Sequence, residues 1–137
     1  MNKNLRITVP FQITLEHFDA IISAALEGGS NYWCEVRWKD FEFLLENIID
    51  EDNPKGLHLI ERLALTLYNN ENFFINIYDS ENKSILGQLS QKGMLKGLKI
   101  AAKDHSEKFS MLIEEQHDAS IADDFLQLAV FGKLVFG

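Results

Sequence analysis

Cysteine occurs once, as Cys34, so no disulfide can form within the chain and an oxidising compartment has left no mark on it. A cytoplasmic setting is the expectation. Cations are scarce: 13 Lys and Arg stand against 21 Asp and Glu, a formal charge of −8. Affinity for nucleic acid comes largely from cations that displace condensed counterions, so no direct nucleic-acid binding is expected. The surplus acid fits plain solubility or a partner with a basic surface. No run approaches the ~18 consecutive apolar residues of a membrane span, and no membrane role is expected. The start, Met1 to Arg6, leads straight into an alternating pattern without the apolar stretch and cleavage site of a signal peptide, so none is expected. Metal motifs are missing too. His17, His58, His105 and His117 give no pair at i, i+4, and neither CxxC nor HExxH occurs, so no metal and no cofactor is expected.

What is present suits a folded protein. Hydrophobic residues make up 46% and charged residues 25%, near the averages for globular chains and far from the signature of disorder. At 137 residues the chain is expected to form a single domain, residues 1–137, burying roughly two thirds of the surface its unfolded form exposes.

Leu5, Ile7, Val9, Phe11 and Ile13 occupy every second position, the period of a half-buried strand, and Pro10 restricts that strand to an edge or a bulge. Thr14 then caps a predicted helix with Leu15, Phe18, Ile22, Ala25 and Leu26 on one face, stopped by Gly28 and Gly29. Tyr32 to Trp38 reads as a second strand, and Asp40 opens a short helix through Phe41, Leu44, Leu45 and Ile48. After the connector from Asp50 to Gly56, Ile60, Leu63, Ala64 and Leu67 mark a further helix. Phe73–Tyr78 and Ser84–Leu89, joined by a turn-like stretch, form a predicted β-hairpin. Ser90 caps a helix carrying Met94, Leu98, Ala101 and Ala102 that can run on towards Gln116, and Asp118 caps a last one that Gly132 closes. Strands interrupted by single or paired helices argue for an α+β fold: a small mixed or antiparallel sheet of about four strands, one hairpin included, packed with about five helices.

Three constellations bear on function. Gly28-Gly29-Ser30-Asn31-Tyr32-Trp33 offers a backbone that a ligand can approach, with Asn31 for hydrogen bonding and Tyr32 and Trp33 as flat faces. Helix capping and core packing account for the same residues. The glycines end a helix instead of opening one, so a dinucleotide or phosphate loop is not supported. The second constellation is acidic: Glu46, Asp50, Glu51 and Asp52, with Glu42 beside them, make an anionic face that would fit a basic groove, including one meant for DNA, or would simply be solvated. The third is the set of carboxylates Asp79, Glu81, Asp104, Asp118, Asp123 and Asp124. Hydrolases cluster acids in this way, but capping and solvation near a helix N-terminus explain them more simply. Gly93 and Gly97, four apart, are read as a close-packing face, and Cys34 in its aromatic surroundings as an inert buried thiol.

The segments Ala25-Leu26-Glu27-Gly28-Gly29-Ser30-Asn31-Tyr32-Trp33 and Ala122 to Gly137, with Leu95-Lys96-Gly97-Leu98-Lys99 between them, resemble a family of short uncharacterised proteins of bacteriophages, prophages and related mobile elements. The resemblance covers about a third of the chain. It implies a mobile-element origin and carries no catalytic residues with it. Asp40 to Tyr68 looks like an added helical stretch, and Lys133 stands where relatives often have an acid, so a shared recognition surface does not follow.

Two functions remain open on these grounds. One is a non-enzymatic accessory protein that binds, and inhibits, a host protein such as a defence component of the CRISPR or restriction type. The other is a ligand-binding domain or small enzyme built on the Gly28–Trp33 region, for example one that sequesters a nucleotide signal. A homo-oligomer is compatible with either.

Overall fold

The computed structural model describes residues 4–46 and 59–137. Helices α1 (Leu15–Ala24), α2 (Phe43–Glu46), α3 (Leu59–Asn69), α4 (Gln91–Asp104), α5 (Ser106–Ile113) and α6 (Ala119–Phe131) surround strands β1 (Cys34–Glu35), β2 (Phe74–Asp79) and β3 (Ile85–Ser90). All but the one-turn α2 are two turns or longer. The class is α+β, and no helix among the described residues is long and apolar enough to cross a membrane.

The sheet is antiparallel in the order β1-β2-β3, so among the described residues it has three strands where the sequence suggested about four. Residues 5–13, expected to form the first strand, join no ladder there. Alternation marks a segment that is extended and apolar on one side, but a strand also needs a partner edge, and the sequence pattern cannot supply that information. The second expected strand shrinks to two residues. The N–H groups of Trp33 and Cys34 both bond the Ser30 carbonyl (3.1 Å each), and the chain turns again when Asp40 N–H reaches the Arg37 carbonyl at 2.9 Å.

The hairpin forms where the residues predict it. Asp79 orders its loop by accepting from the N–H groups of Glu81 (2.8 Å) and Asn82 (3.0 Å), and Lys83 takes the left-handed conformation at φ 64°. The register slips between Ile77, which faces Gly87, and Tyr78, which faces Ile85, so the ladder is bulged there.

Caps define the helix starts. Ser90 Oγ accepts from Gly93 N–H at 3.1 Å to open α4, and Asp118 Oδ1 accepts from Ile121 N–H at 2.9 Å to open α6. At Thr14 the backbone N–H donates to Nδ1 of His17 at 2.9 Å. Gly132 closes α6 at φ 74°. The apolar run after Ser90 does not continue to Gln116 as one helix, because His105 (φ −136°, ψ 51°) breaks it into α4 and α5.

Helix α6 is the centre of the fold. It contacts α1, α4 and β3 and buries Ile121, Ala122, Phe125, Leu126, Leu128 and Ala129. Around it lie Phe18 and Ile22 of α1, Leu63 and Leu67 of α3, Ile75 and Ile77 of β2, and Met94 and Leu98 of α4. The α4–α6 crossing is close because of Gly97. A Cβ built there would stand 2.7 Å from the Ala129 nitrogen and 2.9 Å from the Leu128 carbonyl carbon, distances no methyl tolerates.

Candidate functional site

Residues 123 and 127 are one helical turn apart, so their side chains emerge from the same face of α6, which points into the protein. Both are polar and both are buried: Asp123 is 4% exposed and Gln127 fully enclosed. A buried carboxylate is stable only when donors surround it.

The donors come from the turn after α1. Ala25–Gly29 winds one wide turn, closed by Ser30 N–H on the Ala25 carbonyl at 2.8 Å. Gly29 permits that turn to lie against the start of α6: a Cβ there would stand 2.3 Å from the Ala119 carbonyl oxygen. Three donor-bearing residues of the segment from Ser30 to Trp33 then reach Asp123. Ser30 Oγ donates to Oδ1 at 2.7 Å, Trp33 Nε1 to Oδ1 at 2.7 Å, and the Tyr32 hydroxyl to Oδ2 at 2.5 Å. Gln127 Nε2 is the fourth donor, at 3.1 Å from Oδ2.

Gln127 carries the network on to the end of the chain. Its Oε1 accepts from the N–H groups of Val135 and Phe136, both at 2.8 Å, and its Nε2 also faces the Phe136 carbonyl at 3.2 Å. Phe136 is thereby held flat on the Trp33 indole, with ring centroids 4.9 Å apart and planes 13° from parallel, while Phe131 closes the side at 5.4 Å. The two segments that carry the resemblance are thus joined through one buried polar cluster and one aromatic stack.

This placement decides what each residue can do. Trp33 is buried, its N–H is bonded to Asp123 and one face is covered by Phe136, so that face is not open to an outside ring. Tyr32 is 55% exposed and Asn31 lies on the surface beside it. The Tyr32 phenol titrates high, pushed up to about 12 by lost hydration first and by its hydrogen bond to Asp123 and that group's charge second. Cys34 is buried and its thiol is likewise pushed up to about 12, by burial first and then by the nearby charges of Asp123 and Glu35. At neutral pH both groups hold their protons.

Asp123 is the residue that the sequence reading misplaced. Its position near the start of α6 predicts a cap or a solvated acid like its neighbours, and it is instead the hub of the interior network. The signal available was its setting, a charged residue between Ala122 and Phe125-Leu126 with an amide at i+4. The other carboxylates have separate duties. Asp118 caps α6, Asp79 orders the hairpin loop, Asp124 pairs with Lys108 at 2.6 Å, and Asp104 is exposed. Among the described residues no three His, Cys, Asp or Glu side chains stand together as a metal-binding group.

Of the acidic face, Glu46 ends α2, while Asp50, Glu51 and Asp52 lie outside the described residues. Next to α2 the surface opens into a cleft of ≈ 470 Å³ bordered by Phe43, Leu44, Thr66, Asn70, Glu71 and Phe73. Phe43 meets Phe73 edge-on at 6.4 Å yet stays half in solvent, and Glu42 beside it is exposed. No family model, no curated protein and no solved structure matches this chain.

Proposed function

We propose that the protein is a non-enzymatic accessory factor of a phage or other mobile element, which acts by occupying a basic surface on a host protein such as a defence component of the CRISPR or restriction type. The observation that carries this reading is the cleft at α2. A large aromatic ring, Phe43, stands half exposed at its rim, with Glu42 and Glu71 exposed around it and Glu46 closing the helix. Aromatic anchors rimmed by charge are the usual architecture of protein recognition, and an acidic rim selects a basic partner. The net charge of −8 favours the same encounter at long range. The mobile-element setting rests on the resemblance of residues 25–33 and 122–137.

The buried cluster supports a scaffold role for the most conspicuous polar residues. Asp123 already accepts from four donors of its own chain, so abstracting a proton from a substrate would mean dismantling that set. The test is affinity capture from a bacterial lysate with three baits: the parent chain, Phe43→Ala, and a variant with Glu46, Asp50, Glu51 and Asp52 reversed to Lys. A partner held by the parent and lost by both variants supports the proposal. Recovery of the same proteins by all three baits refutes it. Thermal-shift measurement against a nucleotide panel addresses the alternative ligand-binding reading, because a ligand at 100 times its Kd stabilises a fold by ~2.7 kcal/mol.

A further inference from the structure

The segment ahead of α1 exposes a row of large apolar side chains that the other described residues do not cover. Leu5 is 94% exposed, Ile7 89%, Val9 70% and Phe11 49%, whereas Ile13 is half-buried and its carbonyl accepts from the Tyr68 hydroxyl at 3.4 Å. Exposure therefore rises steadily away from α1. The inner end is anchored: Phe11 meets Phe109 edge-on at 5.5 Å, and Val9, Phe11, Leu95, Leu98, Ala102 and Phe109 border a cleft of ≈ 480 Å³.

We propose that this segment is a dimerisation strand, and that two copies of the chain pair their arms antiparallel about a two-fold axis at Thr8. The occupant follows from the sequence of the arm itself. With Thr8 opposite Thr8, Ile7 faces Val9 and Leu5 faces Phe11, so all four exposed apolar residues find apolar partners on one face of the ribbon. A shift of one residue in the pairing sets apolar opposite polar throughout, and centring on Arg6 sets two guanidinium groups against each other. Centring further along, on Val9, would draw in Ile13, which already belongs to its own core.

Pro10 fits the same arrangement. When the odd-numbered residues form the hydrogen-bonded pairs, Pro10 lies at a non-bonded position opposite Arg6, where the missing N–H faces away from the partner. A two-stranded ribbon is marginal alone but gains a backing when its apolar face lies on a helix. Here the second copy's Leu5 arrives opposite Phe11, beside the cleft formed with α4 and α5. Charge agrees: the first 13 residues hold Lys3 and Arg6 and none of the 21 acids, so each arm is a cationic segment crossing to an acidic body. A self-matching patch of this kind closes as a two-fold dimer.

The experiment uses the full chain. Sedimentation equilibrium of the parent is expected to give twice the 15.7 kDa chain mass, and Ile7→Asp, a surface change that leaves the melting curve of the isolated chain in place, is expected to abolish the dimer. Register is tested by cysteine. Directly opposed Cα atoms in a non-bonded antiparallel pair lie ~4.5 Å apart, within disulfide range. Thr8→Cys is therefore expected to cross-link two chains under mild oxidation, with free thiols alkylated before denaturation, and Arg6→Cys is not. A parent that stays monomeric at high concentration, a dimer that survives Ile7→Asp, or equal cross-linking through positions 6 and 8 overturns the proposal.

Discussion

Replacing Asp123 by Ala tests whether the interior network holds the fold together. The substitution removes the acceptor shared by Ser30, Trp33, Tyr32 and Gln127. Tyr32 is half exposed and can turn its hydroxyl to water, and Gln127 keeps the Phe136 carbonyl and can also turn to the Tyr32 oxygen. Ser30 and Trp33 have neither recourse, since both are buried and Asp123 is the side-chain acceptor recorded for each. Each buried donor left without a partner costs ~1–3 kcal/mol, and a small cavity adds to that. The expected loss is about 3–5 kcal/mol, a large fraction of the ~5–15 kcal/mol that holds a domain of this size. Urea unfolding followed by far-UV circular dichroism and tryptophan emission reads it directly as a fall in midpoint.

The diagnostic part is the cycle with Ser30→Ala. If Asp123 matters because it satisfies buried donors, removing the donor as well makes the double variant lose less than the sum of the two single losses, by about 1 kcal/mol or more. Additive losses would mean that the two groups act independently, and a loss below ~1 kcal/mol for Asp123→Ala alone would mean that water replaces the carboxylate without penalty. Either result refutes the assignment of Asp123 as the hub.

Four further outcomes follow from the same structure. Gly97→Ala forces a methyl against the backbone at Ala129 and should lower stability by ~1–2 kcal/mol despite better helix propensity, whereas Gly28→Ala, with open space around its Cβ position and an extended φ of 180°, should change it by no more than ~0.5 kcal/mol in chemical denaturation. Cys34, its thiol pushed up to about 12, should resist iodoacetamide at pH 8 in the native protein and react once urea unfolds it. The unfolded thiol and phenol release protons nearer pH 9 and 10 while the folded Cys34 and Tyr32 hold theirs to about 12, so the folded state binds more protons across that window and melting temperatures should fall as pH rises through it. Gln127→Ala removes the acceptor of the Val135 and Phe136 N–H groups and should make the last residues a substrate for carboxypeptidase well before the rest of the chain is cut.

The regular elements were legible where local chemistry is sufficient. Ser90, Asp118 and Gly132 mark helix ends because a cap needs only a side chain or a left-handed residue at one position, and the structure uses all three. Helices α1, α3, α4 and α6 bury residues their spacing nominated, Phe18, Leu63, Met94 and Leu126 among them. The break at His105 was not legible, because the apolar stripes on either side match in phase. Asp123 was misread for a related reason: an acid near a helix start satisfies a local rule, and only the approach of residues some 90 positions earlier makes it an interior acceptor. The arm at residues 5–13 shows the opposite failure, a clear strand period that joins no ladder among the described residues.

The joined segments also change what a search for function should look at. Residues 25–33 and 122–137 draw the eye as glycine- and aromatic-rich sequences, and the structure brings them into one unit whose polar atoms answer each other: four donors on one carboxylate, one amide on the terminal backbone, one indole under Phe136. Such a unit constrains a sequence strongly whether or not anything binds to it, because each substitution leaves a buried partner unsatisfied. Motif prominence there therefore measures the demands of the fold. Surfaces free of those demands include the rim at Phe43 and the arm from Leu5 to Phe11, where large apolar side chains stand in water uncovered by the other described residues.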